Sequence, residues 1–266
     1  MKVALFDMDG TLTPPREKMS YQMTASLSKL QSSGFKIGIV TGSSMDYIVQ
    51  QCSAMFDMTP VNYLDIEYFP CNGTKHYRYS QNSFSKELIY ENHMKKEIGD
   101  TLYNSIIYEL ASFQCRLGKA DYGNKIPLTG NFIDCRGSMI NWCPIGRNAS
   151  KKDREAWCEL DEKHNIRVNI LNSFFKIDMF DNLTVKLGGS TSFDIFPCGW
   201  DKTFVLRNFS DKDQIYFFGD KCDGDGNDRE IYEEVINRNN CYAFKTENPE
   251  HTIGLIDKLL KGSSNE

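Results

Sequence analysis

The chain has 266 residues, 40% of them hydrophobic, enough for one or two well-filled domains. Its mean hydropathy of −0.47 speaks against a membrane-embedded protein, and no stretch approaches the roughly 18 apolar residues of a transmembrane helix. Lysine and arginine number 31 against 36 acids, so a net charge of −5 argues against a nucleic-acid partner, and any phosphate ligand has to be met by locally placed cations.

The first element is an apolar run over residues 3–6, read as a buried strand. It ends in Asp7-Met8-Asp9-Gly10-Thr11-Leu12-Thr13, followed by Pro14-Pro15. Two carboxylates one residue apart at the C-terminal end of a strand stand where open α/β sheets bind ligands. Curled around one centre they suit Mg²⁺, and an aspartate can also attack phosphorus. An Asp-Gly turn with a spare acid is the plainer alternative. The apolar run stops at Asp7, too early for a signal peptide. Nine cysteines include no C-x-x-C pair, so reduced thiols in a cytoplasmic protein are expected, with no membrane partner.

Helical spacing follows over 21–31 (Met23, Leu27, Leu30), with Gly34 as its stop. A strand over 36–40 ends in Thr41-Gly42-Ser43-Ser44, and a helix over 45–55 comes next. This βαβ alternation predicts an α/β fold with a parallel, doubly wound sheet. Thr41-Gly42-Ser43 suits either a phosphate oxygen or a helix cap. Residues 66–70 form another strand. From about Gln81 the character changes: a long polar helix over 87–117, strand material over 131–142, a helix over 150–164 with Ser150 as cap, a strand over 166–175, and a hairpin of 184–187 with 190–196. An inserted α+β domain over 81–197 is expected between core segments 1–80 and 198–266. The core resumes with a helix over 200–206, strands over 214–218 and 241–244, a closing helix over 249–261 and a frayed tail to 266. The strand at 214–218 leads into a second acidic loop, where Asp220 and Asp228 could complete an oxygen shell with Asp7 and the carbonyl of Asp9. A calcium loop is the rival: Asp223, Asp225, Asn227 and Glu234 fit its spacing, but Asp228 stands where the sharp turn needs glycine.

Asp7-Met8-Asp9-Gly10-Thr11, Thr41, Lys202 and Gly219-Asp220…Asn227-Asp228 resemble the four motifs of the haloacid dehalogenase (HAD) superfamily. Phe69-Pro70-x-Asn72-Gly73, Phe132-Ile133-Asp134-Cys135-Arg136, Pro144-Ile145-Gly146-Arg147 and the run from Ser192 through Gly199-Trp200-Asp201-Lys202 are more specific. With them, nearly the whole chain resembles the eukaryotic-type phosphomannomutase family. The resemblance implies a Rossmann-like HAD core with a parallel sheet and an inserted α+β cap. By position it implies Asp7 as the nucleophile, Asp9 as general acid and base, Lys202 as the neutralising cation and Thr41 on the transferring phosphoryl group. Mg²⁺ would be held by Asp7, the Asp9 carbonyl, Asp220 and Asp228. A second cation site maps to Tyr232, Glu234 and Asn237, which depart from the family's usual residues. Arg16, Arg136, Arg147 and Arg154 match the arginines that grip the phosphate not being transferred, where a planar fork serves better than lysine. Asn141, Ser192 and Asp194 match polar residues near the sugar or that distal phosphate.

The implied reaction converts mannose 6-phosphate to mannose 1-phosphate, primed by a hexose 1,6-bisphosphate activator and feeding GDP-mannose synthesis, with the cap closing as a lid. A homodimer through the cap is also implied, for which Leu102, Ile106 and Leu110 supply an apolar stripe unless they face an internal core. Thr41-Gly42-Ser43-Ser44 replaces the family's usual Gly-Gly-Ser-Asp, Cys71 stands for a common Glu, and Trp142-Cys143 for a smaller pair. A sugar-phosphate phosphatase of the same fold is therefore the runner-up, and a non-catalytic sugar-phosphate-binding protein the third reading.

Overall fold

The computed structural model describes residues 1–57 and 59–262, so the tail expected at the C-terminus lies outside the described residues beyond Gly262. In chain order the elements are β1 (Lys2–Phe6), α1 (Tyr21–Ser32), β2 (Phe35–Val40), α2 (Met45–Gln51), β3 (Ile66–Phe69), β4 (Lys75–Tyr79) and β5 (Lys86–Glu91). Then come α3 (Met94–Ile98), α4 (Asp100–Gly118), β6 (Ile133–Cys135), β7 (Ile140–Trp142), α5 (Lys151–His164), α6 (Ile166–Phe174), β8 (Leu183–Gly188) and β9 (Ser192–Pro197). The chain closes with β10 (Gln214–Gly219), α7 (Arg229–Ile236), β11 (Tyr242–Lys245) and α8 (Pro249–Gly262). Two compact units result: Met1–Glu91 with the stretch from Trp200 on, and Asn92–Gly199.

The first unit carries a seven-stranded sheet in the order β11-β10-β1-β2-β3-β4-β5. Its first five strands are parallel, and β4 and β5 are antiparallel additions. Alternate strand residues feed two cores, because successive side chains leave a strand on opposite faces. Ala4, Phe6, Ile37, Ile39 and Phe218 pack with α1, α2 and α8 on one face. Val3, Leu5, Ile215 and Phe217 pack with Val205, Leu206 and α7 on the other. Strands buried on both faces explain the near-continuous apolar runs. They also put the loops after β1, β2 and β10 at one end of the sheet.

The second unit is an antiparallel sheet, β6-β7-β9-β8, whose Trp142 and Phe193 stack at 5.0 Å and pack against Phe174 and, from α4, Phe113. Several expected elements differ. In place of the expected strand over 166–175 there is a helix, Ile166–Phe174: Asn165 breaks the preceding helix at φ +50°, and Ile166, Ile170 and Phe174 are buried at helical spacing. The long helix expected over 87–117 is divided, since 86–91 pairs with β4 and Gly99 (φ +82°) separates α3 from α4. Because β5 belongs to the large sheet, the compact units divide at Asn92 rather than at the expected Gln81. The expected helix at 200–206 is a 3₁₀ turn, Lys202–Asn208. Ile106 and Leu110 are fully buried within the second unit, so these two members of the stripe expected for a dimer are core, whereas Leu102 is half-buried.

Candidate active site

Strand ends gather the acids of the first unit. Asp7 donates its backbone N–H to the Phe218 carbonyl at 2.9 Å, so the β1–β10 ladder fixes where its side chain begins. The Met8 carbonyl accepts the N–H groups of Thr11, Leu12 and Thr13 and curls the chain into a tight loop. Gly10 sits at φ +90°, and a Cβ there would lie 2.3 Å from Asp220 Oδ2. Only glycine lets the two acidic loops approach this closely. Asp228 stands at the N-cap of α7, where its Oδ2 accepts the Lys221 N–H at 3.1 Å. One carboxylate oxygen from each of Asp7, Asp220 and Asp228 lies within 4.8 Å of the others.

Lys202 opens its 3₁₀ turn, whose N-cap Asp201 accepts the Thr203 N–H at 2.9 Å. The Lys202 side chain is 1% exposed and donates to both Asp7 Oδ1 and Asp228 Oδ1. Three carboxylates against one buried ammonium, with the exposed Lys221 ammonium 4.0 Å from Asp220, leave the ionised cluster with excess negative charge around Lys202. Burial, reinforced by the Asp228 charge, pushes the Asp7 carboxyl up to about 7 against the pull of Lys202. Burial likewise raises Asp220. Burial would lower Lys202, but Asp228 and Asp7 outweigh it and hold the ammonium above its ordinary value. Asp220 Oδ1 is buried with no hydrogen-bond partner. An oxygen-only donor set with surplus charge and an orphaned oxygen fits a hard divalent cation such as Mg²⁺.

The Asp9 carboxylate turns elsewhere: its Oδ1 accepts the Arg16 N–H at 3.1 Å and the Gln51 amide at 3.2 Å. Arg16 holds this bond from φ +63°. Thr41 follows β2; its N–H donates to the Phe69 carbonyl at 3.1 Å and its Oγ1 accepts the Ser43 N–H at 3.1 Å. The N-cap of α2 is Ser44, with no side-chain capping bond, so Thr41 is not the helix cap. The calcium-loop reading fails. A strand precedes the loop, Asp223 pairs with Lys245, and Glu234 pairs with Arg238 at 3.3 Å. Glu234 is therefore engaged, and Tyr232 lies under the Lys245 ammonium at 5.1 Å.

The second unit assembles a basic cluster. Register places Asp134, Asn141, Asp194 and Lys186 in one row across β6, β7, β9 and β8. That row lies on the face opposite Trp142 and Phe193. Asn141 Nδ2 donates to Asp194 Oδ1 at 2.6 Å and Ser192 Oγ at 3.0 Å, and its Oδ1 accepts from Arg147 at 3.1 Å. Arg136 donates to Asp134 at 2.9 Å, and Arg154 to Thr191 Oγ1 at 3.1 Å. Burial and then the charge of Arg136, with a smaller push from Arg154, lower Arg147 against the opposite pull of Asp134 and Cys143. Burial raises Asp194 despite Asn141, Arg136 and Arg147. Gly146 (φ +88°) brings Arg147 in: a Cβ there would lie 2.0 Å from the Gly130 carbonyl oxygen. Thr191 and Asp134 had no signal of their own in the sequence beyond standing beside Ser192 and Arg136. Gln51 had none.

Residues 23–262 match the family model of eukaryotic phosphomannomutase. A phosphomannomutase of Dendrobium officinale is 36% identical over 235 residues, covering 87% of this chain and 84% of that protein. Another, from Encephalitozoon cuniculi (strain GB-M1), is 35% identical over 264 residues, 97% of this chain and 93% of that one. Among solved structures, a haloacid dehalogenase-like hydrolase from Bacteroides thetaiotaomicron superposes with a TM-score of 0.57 at 17% identity, covering 97% of this chain and 99% of that chain. An IMP-nucleotidase of Plasmodium falciparum gives 0.61 at 14% identity, covering 97% and 68%. At these identities the two structures speak for the fold alone: an HAD-like core with a mostly parallel sheet.

Proposed function

The chain belongs to the eukaryotic phosphomannomutase family, and from that premise we propose that it interconverts mannose 6-phosphate and mannose 1-phosphate. The observation that carries the reading is the Asp7–Asp220–Asp228 cluster, its first and last members buried and sharing Lys202. Asp7 attacks the phosphorus of a hexose 1,6-bisphosphate, the bond from phosphorus to the sugar oxygen breaks, and Asp9 delivers a proton to that oxygen. In the second half the free hydroxyl of a mannose monophosphate gives its proton to Asp9 and takes the phosphoryl group from Asp7, and the mannose 1,6-bisphosphate so formed turns over and gives its other phosphate to Asp7. Lys202 and Thr41 carry the charge of the transferring group's oxygens. Asp7, the Asp9 carbonyl, Asp220 and Asp228 would hold Mg²⁺, which when bound neutralises charge on the phosphoryl oxygens.

Arg16, Arg136, Arg147 and Arg154 bind the phosphate that is not transferred. Asn141, Ser192 and Asp194 orient the sugar beside it. Holding both phosphates is what a mutase needs and a simple phosphatase does not. Among the described residues no helix is long and apolar enough to cross a membrane. A cytoplasmic homodimer supplying GDP-mannose synthesis fits this reading, and light scattering of the purified chain tests the dimer.

The deciding experiment supplies mannose 1-phosphate and Mg²⁺ with and without glucose 1,6-bisphosphate, following mannose 6-phosphate and inorganic phosphate separately. Activator-dependent isomer with little phosphate is expected, and Asp7→Asn abolishes it. Phosphate without isomer would reject the mutase and leave a phosphatase.

A further inference from the structure

Gln51, the last residue of α2, is 3% exposed although it is polar and sits at a helix end. Its Nε2 donates to Asp9 Oδ1 at 3.2 Å, and its Oε1 accepts the Thr13 hydroxyl at 2.8 Å. Its backbone carbonyl accepts the Met19 N–H at 2.8 Å. The Asp9 oxygen decides which way the amide points, because the Thr13 hydroxyl, which also lies 3.3 Å from the Met8 carbonyl, can donate or accept. Turned over, the amide would set its oxygen against the Asp9 oxygen, two acceptors facing with no proton between them. The backbone N–H of Arg16 takes the same Asp9 oxygen at 3.1 Å. Two donors thus hold Oδ1, and Oδ2 is left as the oxygen that can meet a substrate.

We infer that Gln51 is a positioning residue that aims the Asp9 carboxylate at the sugar oxygen. The inference rests on the proposed function, in which Asp9 moves the proton. Thr13 acts one bond further back by bracing the amide. A run from the buried Thr13 and Gln51 ends on the half-buried Asp9, the one catalytic acid that the Asp7–Asp220–Asp228 cluster does not include.

The same bonds also staple the loop, so the test has to separate aim from architecture. Proton delivery matters for a sugar oxygen, which leaves poorly as an anion, and hardly at all for p-nitrophenolate, which leaves readily. Gln51→Met keeps length and burial but removes the donor. We expect it to lower kcat for mannose 1-phosphate isomerisation roughly 10- to 100-fold, with KM and the first-turnover burst of p-nitrophenolate from p-nitrophenyl phosphate each within about 3-fold of wild type. Thr13→Val is expected to show the same pattern more weakly, and it carries the test if Gln51→Met fails to fold. Equal losses on both substrates would show a loop stapled rather than a group aimed, and would overturn the inference. So would an unchanged kcat or an effect confined to KM. Wild-type protein in the same assay separates this from the underlying reading. No isomerisation there rejects the mutase, and Gln51 is then judged on the first turnover, by the variant-to-wild-type ratio of the rate of aspartyl-phosphate formation from mannose 1-phosphate against that from p-nitrophenyl phosphate.

Discussion

Asp7 is costly to ionise without a cation. Its carboxyl is held up to about 7 from an ordinary 3.8, first by burial and then by Asp228. The native state therefore binds this proton more tightly than the unfolded chain, and the contribution to stability falls as pH rises between those two values. In EDTA, Asp7→Asn should melt higher than wild type by a margin that grows from pH 5 to pH 8. A margin independent of pH would contradict the assignment. Mg²⁺ should remove the difference and bind better above pH 7, releasing a proton as it does. Gly10→Ala should fold yet lose Mg²⁺-dependent activity, because its Cβ would collide with Asp220 Oδ2; calorimetric Mg²⁺ titration beside a melting curve checks it. In the basic cluster, Arg147→Ala removes a charged partner of Asn141 and, on the proposed reading, of the distal phosphate. A charge-assisted bond of about 1.5–3 kcal/mol predicts a KM rise of roughly 10- to 100-fold for the sugar phosphate. Arg147→Lys should recover only part, since it keeps the charge and loses the fork.

Elements divide by how they announce themselves. β1, β2 and β10 were legible because strands buried on both faces leave unbroken apolar runs, and the acids at their ends came with them. The helix at 166–174 was not, because Ile166-Arg167-Val168 is β-branched at both ends and imitates a strand. Its identity lies in Asn165's left-handed turn and in the spacing of Ile166, Ile170 and Phe174 against the second core. β5 was hidden for the converse reason: Lys86–Glu91 is mostly exposed at the edge of its sheet, so no core face marks it. Among site residues the carboxylates and arginines were legible from their motifs, whereas Gln51 is visible only once α2 is seen to end beside Asp9. The second core depends on few large rings. Trp142→Ala should cost about 3–5 kcal/mol in a denaturant titration, because Trp142 is fully buried against Phe113, Phe174 and Phe193.

The whole molecule is one unit interrupted by another, and the second is continuous in sequence with its own core and its own sheet. A fragment of residues 92–199 should therefore fold cooperatively alone, with a single melting transition and dispersed amide resonances; a featureless spectrum would show that it needs the rest of the chain. The first unit has no such independence, since Lys2 pairs with Gln214, and Asp7 shares Lys202 with Asp228. On the ribosome, at about 5–20 residues per second, Asp228 emerges some 10 to 45 s after Asp7. During that interval the inserted unit can fold while the nucleophile waits with neither its lysine nor its acidic neighbours. Enzymatic competence thus arrives only with the last part of the chain, and no nascent fragment ending before β10 carries the two aspartates, Asp220 and Asp228, that complete the acidic cluster.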